Sequence, residues 1–166
     1  MASALLKNAQ LVLAPARPTL TGKRSAFLAG TTAQGPGPDW RGVLVDALSH
    51  LPVTIFNPFR PDWDSSWHLD PSFTPYREQT EWELDMMEHA DVIVVYYGPN
   101  TDAPIALLEF GLCARQGKAI VACHRDYRKR GNVQIVSQRL GVEVLEEVGD
   151  LAAATVKKLE SLLKVE

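Results

Sequence analysis

The sequence predicts an α/β fold of the flavodoxin-like (Rossmann-like) type: a doubly wound parallel sheet of five strands, order 2-1-3-4-5, with helices on both faces. Three observations carry that reading. Short apolar runs bounded by turn residues alternate almost without exception with stretches of helical spacing. The connections between them are short, which implies right-handed crossovers. The chain has 166 residues and is 46% hydrophobic, one domain's length and enough apolar material for a sizeable core.

Taken in order, Gln10 to Ala14 is an apolar run ahead of a Pro-rich linker, Pro15 to Gly22. It reads as an extra N-terminal edge strand or a loosely docked arm over residues 1–22, with the domain proper over 23–166. The five core strands are Ser25 to Gly30, Pro52 to Asn57, Asp91 to Tyr97, Lys118 to Cys123 and a weaker Val142 to Leu145. Helical spacing marks Pro38 to Leu51, Pro75 to Ala90, Ala103 to Gln116, Asn132 to Leu140 and Asp150 to Leu163. One stretch fits neither pattern: Pro58 to Tyr76 is long, lacks periodicity and carries Arg60, Asp62, Trp63, Asp64, Trp67 and His68. Loops of that length inside a compact domain are commonly binding loops or lids.

Composition excludes several classes of function. A formal charge of -3 and a pI near 5.8 offer no field for a nucleic-acid polymer, and the one dense basic run is Arg125 to Arg130. No stretch approaches the roughly 20 apolar residues of a membrane span, and Met1 to Gln10 has only Ala4 to Leu6 as an apolar centre. A soluble, cytoplasmic protein is expected. Cys113 and Cys123 lie in apolar runs and read as reduced packing residues, while His50, His68, His89 and His124 form no ligand spacing. No metal and no cofactor are expected, and Asp62-Trp63-Asp64 reads as Asx-turn chemistry before it reads as a cation site. The dinucleotide, P-loop, serine-hydrolase and zinc-protease motifs are all missing.

Chemistry concentrates on one acid. In Thr101-Asp102-Ala103-Pro104 a helix begins at Asp102 with Pro104 in its first turn, which places Glu109 about two turns in. Its neighbours one turn away, Ile105, Ala106, Leu112 and Cys113, are apolar, so Glu109 sits on a face where a carboxylate is costly. Either it pairs with a cation such as Arg115 or Lys118, or it serves a function. A second helix carries Glu78, Glu81, Glu83, Asp85 and Glu88. Trp82, Met86 and Ala90 mark its apolar line, and Glu83 lies nearest to it. Gly30, Gly35 and Gly37 follow the first core strand as they do where backbone approaches a ligand, and Thr31 and Thr32 add hydroxyls there.

Three motifs, in order and spacing, resemble the nucleoside 2-deoxyribosyltransferase family, which includes 2′-deoxynucleoside 5′-monophosphate N-hydrolases. They are Phe27-Leu28-Ala29-Gly30-Thr31, Ala90-Asp91-Val92-Ile93-Val94-Val95, and Leu108-Glu109-Phe110-Gly111 followed by Gly117-Lys118. The resemblance implies that Glu109 is a nucleophile and that Glu83 holds the acidic position assisting departure of the base, where most members carry Asp. It also implies that Asn132 reaches a neighbouring subunit's site, hence a homo-oligomer with shared sites. Phe27 stands where the family usually has a Tyr that orients the nucleophile. Ala103 replaces a usual Asp or Ser, with Asp102 one residue earlier as its substitute. The expected ligand is a small nucleoside or nucleotide, contacted by Phe27, Gly30, Thr31, Asp62, Trp63, Asp102 and Asn132, with Trp63 or Trp67 either stacking on the base or packing the loop. Two alternatives stay open: N-glycosidase action on an NAD-type ribosyl donor, and a catalytically silent nucleotide-binding or sensor module.

Overall fold

The computed structural model describes residues 3–32 and 39–165. Its single sheet contains β1 (Ser3–Leu6), β2 (Ala9–Leu13), β3 (Arg24–Gly30), β4 (Val53–Asn57), β5 (Val92–Tyr97), β6 (Ala119–Cys123) and β7 (Val144–Leu145), in the order β1-β2-β4-β3-β5-β6-β7. Strands β3 to β7 reproduce the predicted order 2-1-3-4-5. The count of five is corrected to seven by an N-terminal hairpin. Gln10 to Ala14 is an edge strand and not a loose arm: β2 runs parallel to β4, pairing Gln10 with Thr54 and Val12 with Phe56, and β1 pairs antiparallel with β2.

The two central strands, β3 and β5, are buried almost throughout, as strands covered on both faces must be. Among the described residues, five helices cover them: α1 (Trp40–Leu48), α2 (Thr74–His89), α3 (Pro104–Cys113), α4 (Arg130–Leu140) and α5 (Val148–Leu163). A short 3-10 turn, Ala114–Gln116, ends the third predicted helix, and Gly117 supplies the left-handed residue that stops it. On one face Trp40, Leu44 and Leu48 of α1 and Leu151 and Leu159 of α5 pack on Leu28, Ile55 and Val94. On the other, Trp82 of α2, Ala106 and Phe110 of α3 and Val133 of α4 pack on Phe27, Phe56, Ile93 and Val95.

The linker between β2 and β3 is held by side chains. Gln10 accepts from the Thr54 hydroxyl (3.1 Å) and the Thr21 amide (3.0 Å) and donates to the Thr19 carbonyl (3.0 Å), while the buried Trp82 indole donates to the Ala16 carbonyl at 2.8 Å. From β3 the chain moves outward to β4, then returns across the sheet to β5. The direction of winding therefore reverses between β3 and β5, and the crevice beyond their carboxyl ends is where an open α/β sheet presents its site.

Candidate active site

The floor of that crevice is built by the ends of β3 and β5. Gly30 has φ +133, and a Cβ there would lie 2.3 Å from the Tyr96 carbonyl oxygen, so only glycine fits this close approach. The Thr31 hydroxyl accepts from the Gly98 amide at 2.8 Å and contacts the Thr101 hydroxyl at 3.2 Å, joining the two strand ends. Gly30 and Thr31 are thus committed to shaping the floor, and the Thr31 hydroxyl is already engaged. Gly35 and Gly37 lie outside the described residues.

Above the floor, α3 carries Glu109 inward. Only 8% of Glu109 is exposed, and it shares its buried face with Ala106, Phe110 and Cys113. Ile105 and Leu112, predicted to share that face, point instead to solvent at 55% and 50% exposure, as does Leu108 at 61%. Neither predicted cation pairs with Glu109: Lys118 donates to the Glu88 carbonyl at 3.1 Å, and Arg115 is exposed. Burial is the largest effect on this carboxyl, and the field of Glu83 adds to it while that of Arg41 opposes it, so its pKa is pushed up to about 8. The helix also starts later than predicted. Its N-cap is Ala103, in the left-handed region at φ 38 and ψ 56, and Asp102 makes no capping bond.

Helix α2 supplies the second acid. Of its five carboxylates, Glu78, Glu81, Asp85 and Glu88 are exposed, with Glu78, Glu81 and Asp85 in ion pairs to Arg60, Arg77 and Arg17. Glu83 alone turns inward. Burial raises its pKa, partly offset by a 2.8 Å hydrogen bond from Gln79 Nε2 and by the Arg41 charge. Gln79, buried and absent from the sequence reading, also donates to the Pro58 carbonyl at 2.9 Å and so links Glu83 to the start of the long loop.

The third charged group is Arg41, in the first turn of α1, which the sequence reading also missed. The one signal that pointed to it is that a cation in a helix's first turn opposes the helix dipole. Its guanidinium lies 4.6 Å from the Trp40 ring centroid and makes only long bonds, 3.4 Å each, to the Thr31 and Gly30 carbonyls. Its Nε is buried with no hydrogen-bond partner among the described residues. Desolvation holds its pKa down to about 10 against the fields of Glu109, Asp39 and Glu83. Arg41, Glu83 and Glu109, from three helices, therefore form one electrostatic unit beside the floor.

The remaining predicted residues lie elsewhere. Phe27 is fully buried, 6.3 Å from the Trp82 ring, and presents no surface to a ligand. Asp62 is exposed and bonded to Arg60 at 2.9 Å. Trp63 sits in an aromatic group with Trp67 (5.0 Å) and Tyr76 (6.5 Å), so in this conformation it packs the loop on itself. The buried Arg60 ties that loop to α2 through Glu78, Asp62 and the Pro75 carbonyl, its guanidinium 5.0 Å from the Trp67 ring. Asp64 and Asp70 close Asx turns on Ser66 and Ser72. Asp102 pairs with Arg128 at 3.0 Å, and Asn132 is exposed in the first turn of α4, with no contact to the three charged groups among the described residues. Cys113 and Cys123 are buried free thiols, pushed by burial to about 12 and about 11.

The model of a family described as nucleoside 2-deoxyribosyltransferase like matches residues 23–127, which span Arg41, Glu83 and Glu109 and stop short of Asn132. A solved structure, a conserved protein from Enterococcus faecalis V583, aligns over 81% of this chain and 98% of its own with a TM-score of 0.53 and 14% identity, a likeness of fold. No curated protein matches the chain.

Proposed function

This chain belongs to the nucleoside 2-deoxyribosyltransferase-like family, and from that premise we propose that it cleaves or transfers the N-glycosidic bond of a small cytoplasmic nucleoside or nucleotide, with Glu109 as nucleophile and Glu83 as acid. The observation that carries the reading is the buried Glu109 carboxyl, which has no hydrogen-bond donor among the described residues and lies within the field of a second inward-facing acid. A folding sequence gains nothing from such a group; a glycosidic reaction needs it.

In the first step the Glu109 carboxylate bonds to C1′ as the C1′–N bond breaks, and the bond's electron pair leaves on the base nitrogen, which takes the proton of Glu83. In the second, water or an acceptor base bonds to C1′, its proton passes to Glu83, and Glu109 departs as a carboxylate. Two displacements retain configuration.

We further propose a homo-oligomer. Ile105, Leu108 and Leu112 of α3 and Ile135 and Val136 of α4 are all exposed, and α4 also bears Asn132. A second copy seated there brings Asn132 toward a neighbouring site. The silent-module alternative draws on two features: Phe27 has no hydroxyl to aim the nucleophile, and Ala103 has no side-chain acid or hydroxyl to contact a substrate.

The test is a panel of nucleosides and 5′-monophosphates, with and without an acceptor base. Base release or exchange is expected, and Glu109→Ala should lower it roughly 10³-fold or more. Equal activity in the variant would sink the reading, and tight binding without turnover in the unaltered protein would favour the silent module.

A further inference from the structure

We propose that Arg41 is a positioning residue that confines the Glu83–Glu109 pair to a single shared proton, so that the site holds one acid and one base at once. The inference rests on the catalytic reading of that pair.

Arg41 has the geometry of a group kept for its charge. A guanidinium bringing five N–H donors into the protein normally finds a close carboxylate. This one leaves its Nε unbonded, makes only two long carbonyl contacts and has no ion pair within 4 Å among the described residues. It is fixed by stacking on Trp40 and by the carbonyls that end β3, on the crevice floor, and not by either acid. Both acids remain free to change their bonding while the cation stays in place.

Charge counting then gives its role. With one proton on the pair, Arg41⁺ and the single remaining carboxylate sum to zero whichever acid holds the proton; burial raises both carboxyls, and the reacting arrangement is the one in which the proton has moved to Glu83 and Glu109 is ionised. After the first step Glu109 is an uncharged ester, Glu83 has given its proton to the base and is a carboxylate, and the sum is again zero. One fixed cation serves each acid in turn, so no unpaired charge is created in the enclosed site at either stage. Without Arg41 the low-polarity surroundings favour two protonated acids and no nucleophile.

The other ionisable groups facing this unit do not supply the same charge. Tyr97 of β5 faces Glu109 with its hydroxyl donating to the Ala106 carbonyl at 3.0 Å, and Cys113 lies one turn along α3; both are neutral and buried. Asp39, just ahead of α1, faces Arg41 and is exposed.

The test follows two signals in the 166-residue protein: the pH dependence of base release, and the side-chain carboxyl titrations seen by NMR with glutamate labelled at the carboxyl carbon, assigned with Glu83→Gln and Glu109→Gln. In Arg41→Met the Glu109 midpoint and the acid limb of the rate profile should move up together by about one pH unit or more, with Arg41→Lys restoring most of the shift. Glu83→Gln, which keeps Arg41 in place, should move the Glu109 midpoint down, and Arg41→Gln, which keeps a polar side chain without the charge, reads the Arg41 effect if Arg41→Met does not fold. A Glu109 midpoint unmoved in folded Arg41→Met, or unmoved in Glu83→Gln, overturns it. So does an Arg41→Met protein in which only KM for 5′-monophosphates rises while the acid limb stays put, which would make Arg41 a phosphate receptor. The titrations need no turnover. Absence of base release in the unaltered protein would therefore count against the glycosidic reading alone.

Discussion

Helices α5 and α3 pack on opposite faces of one sheet and obey opposite rules. In α5 the buried side chains are Val148, Leu151, Ala152, Thr155 and Leu159, and Lys157, Lys158 and Glu160 are not among them. Folding alone accounts for that pattern. In α3 the arrangement is reversed: Glu109 is buried, while Ile105, Leu108 and Leu112 stand in solvent. The proposed chemistry at the crevice would account for the inner side, and the proposed second copy of the chain for the outer side. The contrast teaches that burial follows apolarity throughout α5, whereas in α3 one acid is buried beside Ala106, Phe110 and Cys113 while three large apolar side chains are exposed.

The contrast can be broken most directly by removing matched leucines. Leu159→Ala in α5 should cost roughly 2–5 kcal/mol of folding stability, because Leu159 is 0% exposed. Leu108→Ala in α3 should leave the isolated fold within about 0.5 kcal/mol of its original stability yet weaken self-association in sedimentation. Comparable losses of stability from both would mean that α3 is an ordinary packing helix.

An effect of comparable size sharpens the inner side. Glu109 has a folded-state pKa raised to about 8, against about 4.3 in the unfolded chain. Below both values the carboxyl is protonated in either state and costs nothing. As pH climbs between them the unfolded state ionises first, so stability falls with rising pH, and the loss levels off above the folded value. Glu109→Gln should therefore match the unaltered protein near pH 4 and exceed it by roughly 4–5 kcal/mol near pH 8, read by denaturant titration across that range. An advantage independent of pH would mean that the carboxyl is not ionising inside the fold. The smallest effect concerns the entry to α3. Ala103 is held at φ 38, and Ala103→Gly should raise stability by about 1 kcal/mol; a loss there would show that its methyl group is needed for packing.

Much of this was legible from residue order, for reasons that differ by element. Strands β3 and β5 could be read because a strand buried on both faces has almost no polar residue to confuse it with anything else. The β1–β2 hairpin could not. Its turn is Lys7-Asn8, with Lys7 at φ 44, and lacks the glycine that normally announces a two-residue hairpin. Glu109 was legible from its spacing to Ala106 and Cys113, but spacing alone did not tell that Ile105 and Leu112 face outward, because the apolar residues of α3 surround the whole helix. Arg41 was not legible as part of the site. An arginine next to a tryptophan at a helix start looks like a surface residue until the strand end beneath it is known. The Trp63 loop was recognised as exceptional, and its own aromatic and Asx contacts, invisible to periodicity, organise it.

The two margins of the sheet are its shortest strands, four residues in β1 and two in β7. A margin that short presents few unpaired amides and carbonyls to a passing chain, so the sheet is a poor template for growth by strand addition. Long, regular strands lie only in the interior, where both neighbours are already present. An edge-to-edge stack therefore has little to begin on, and the self-association proposed above would have to use helix faces, where side-chain fit can limit the number of copies.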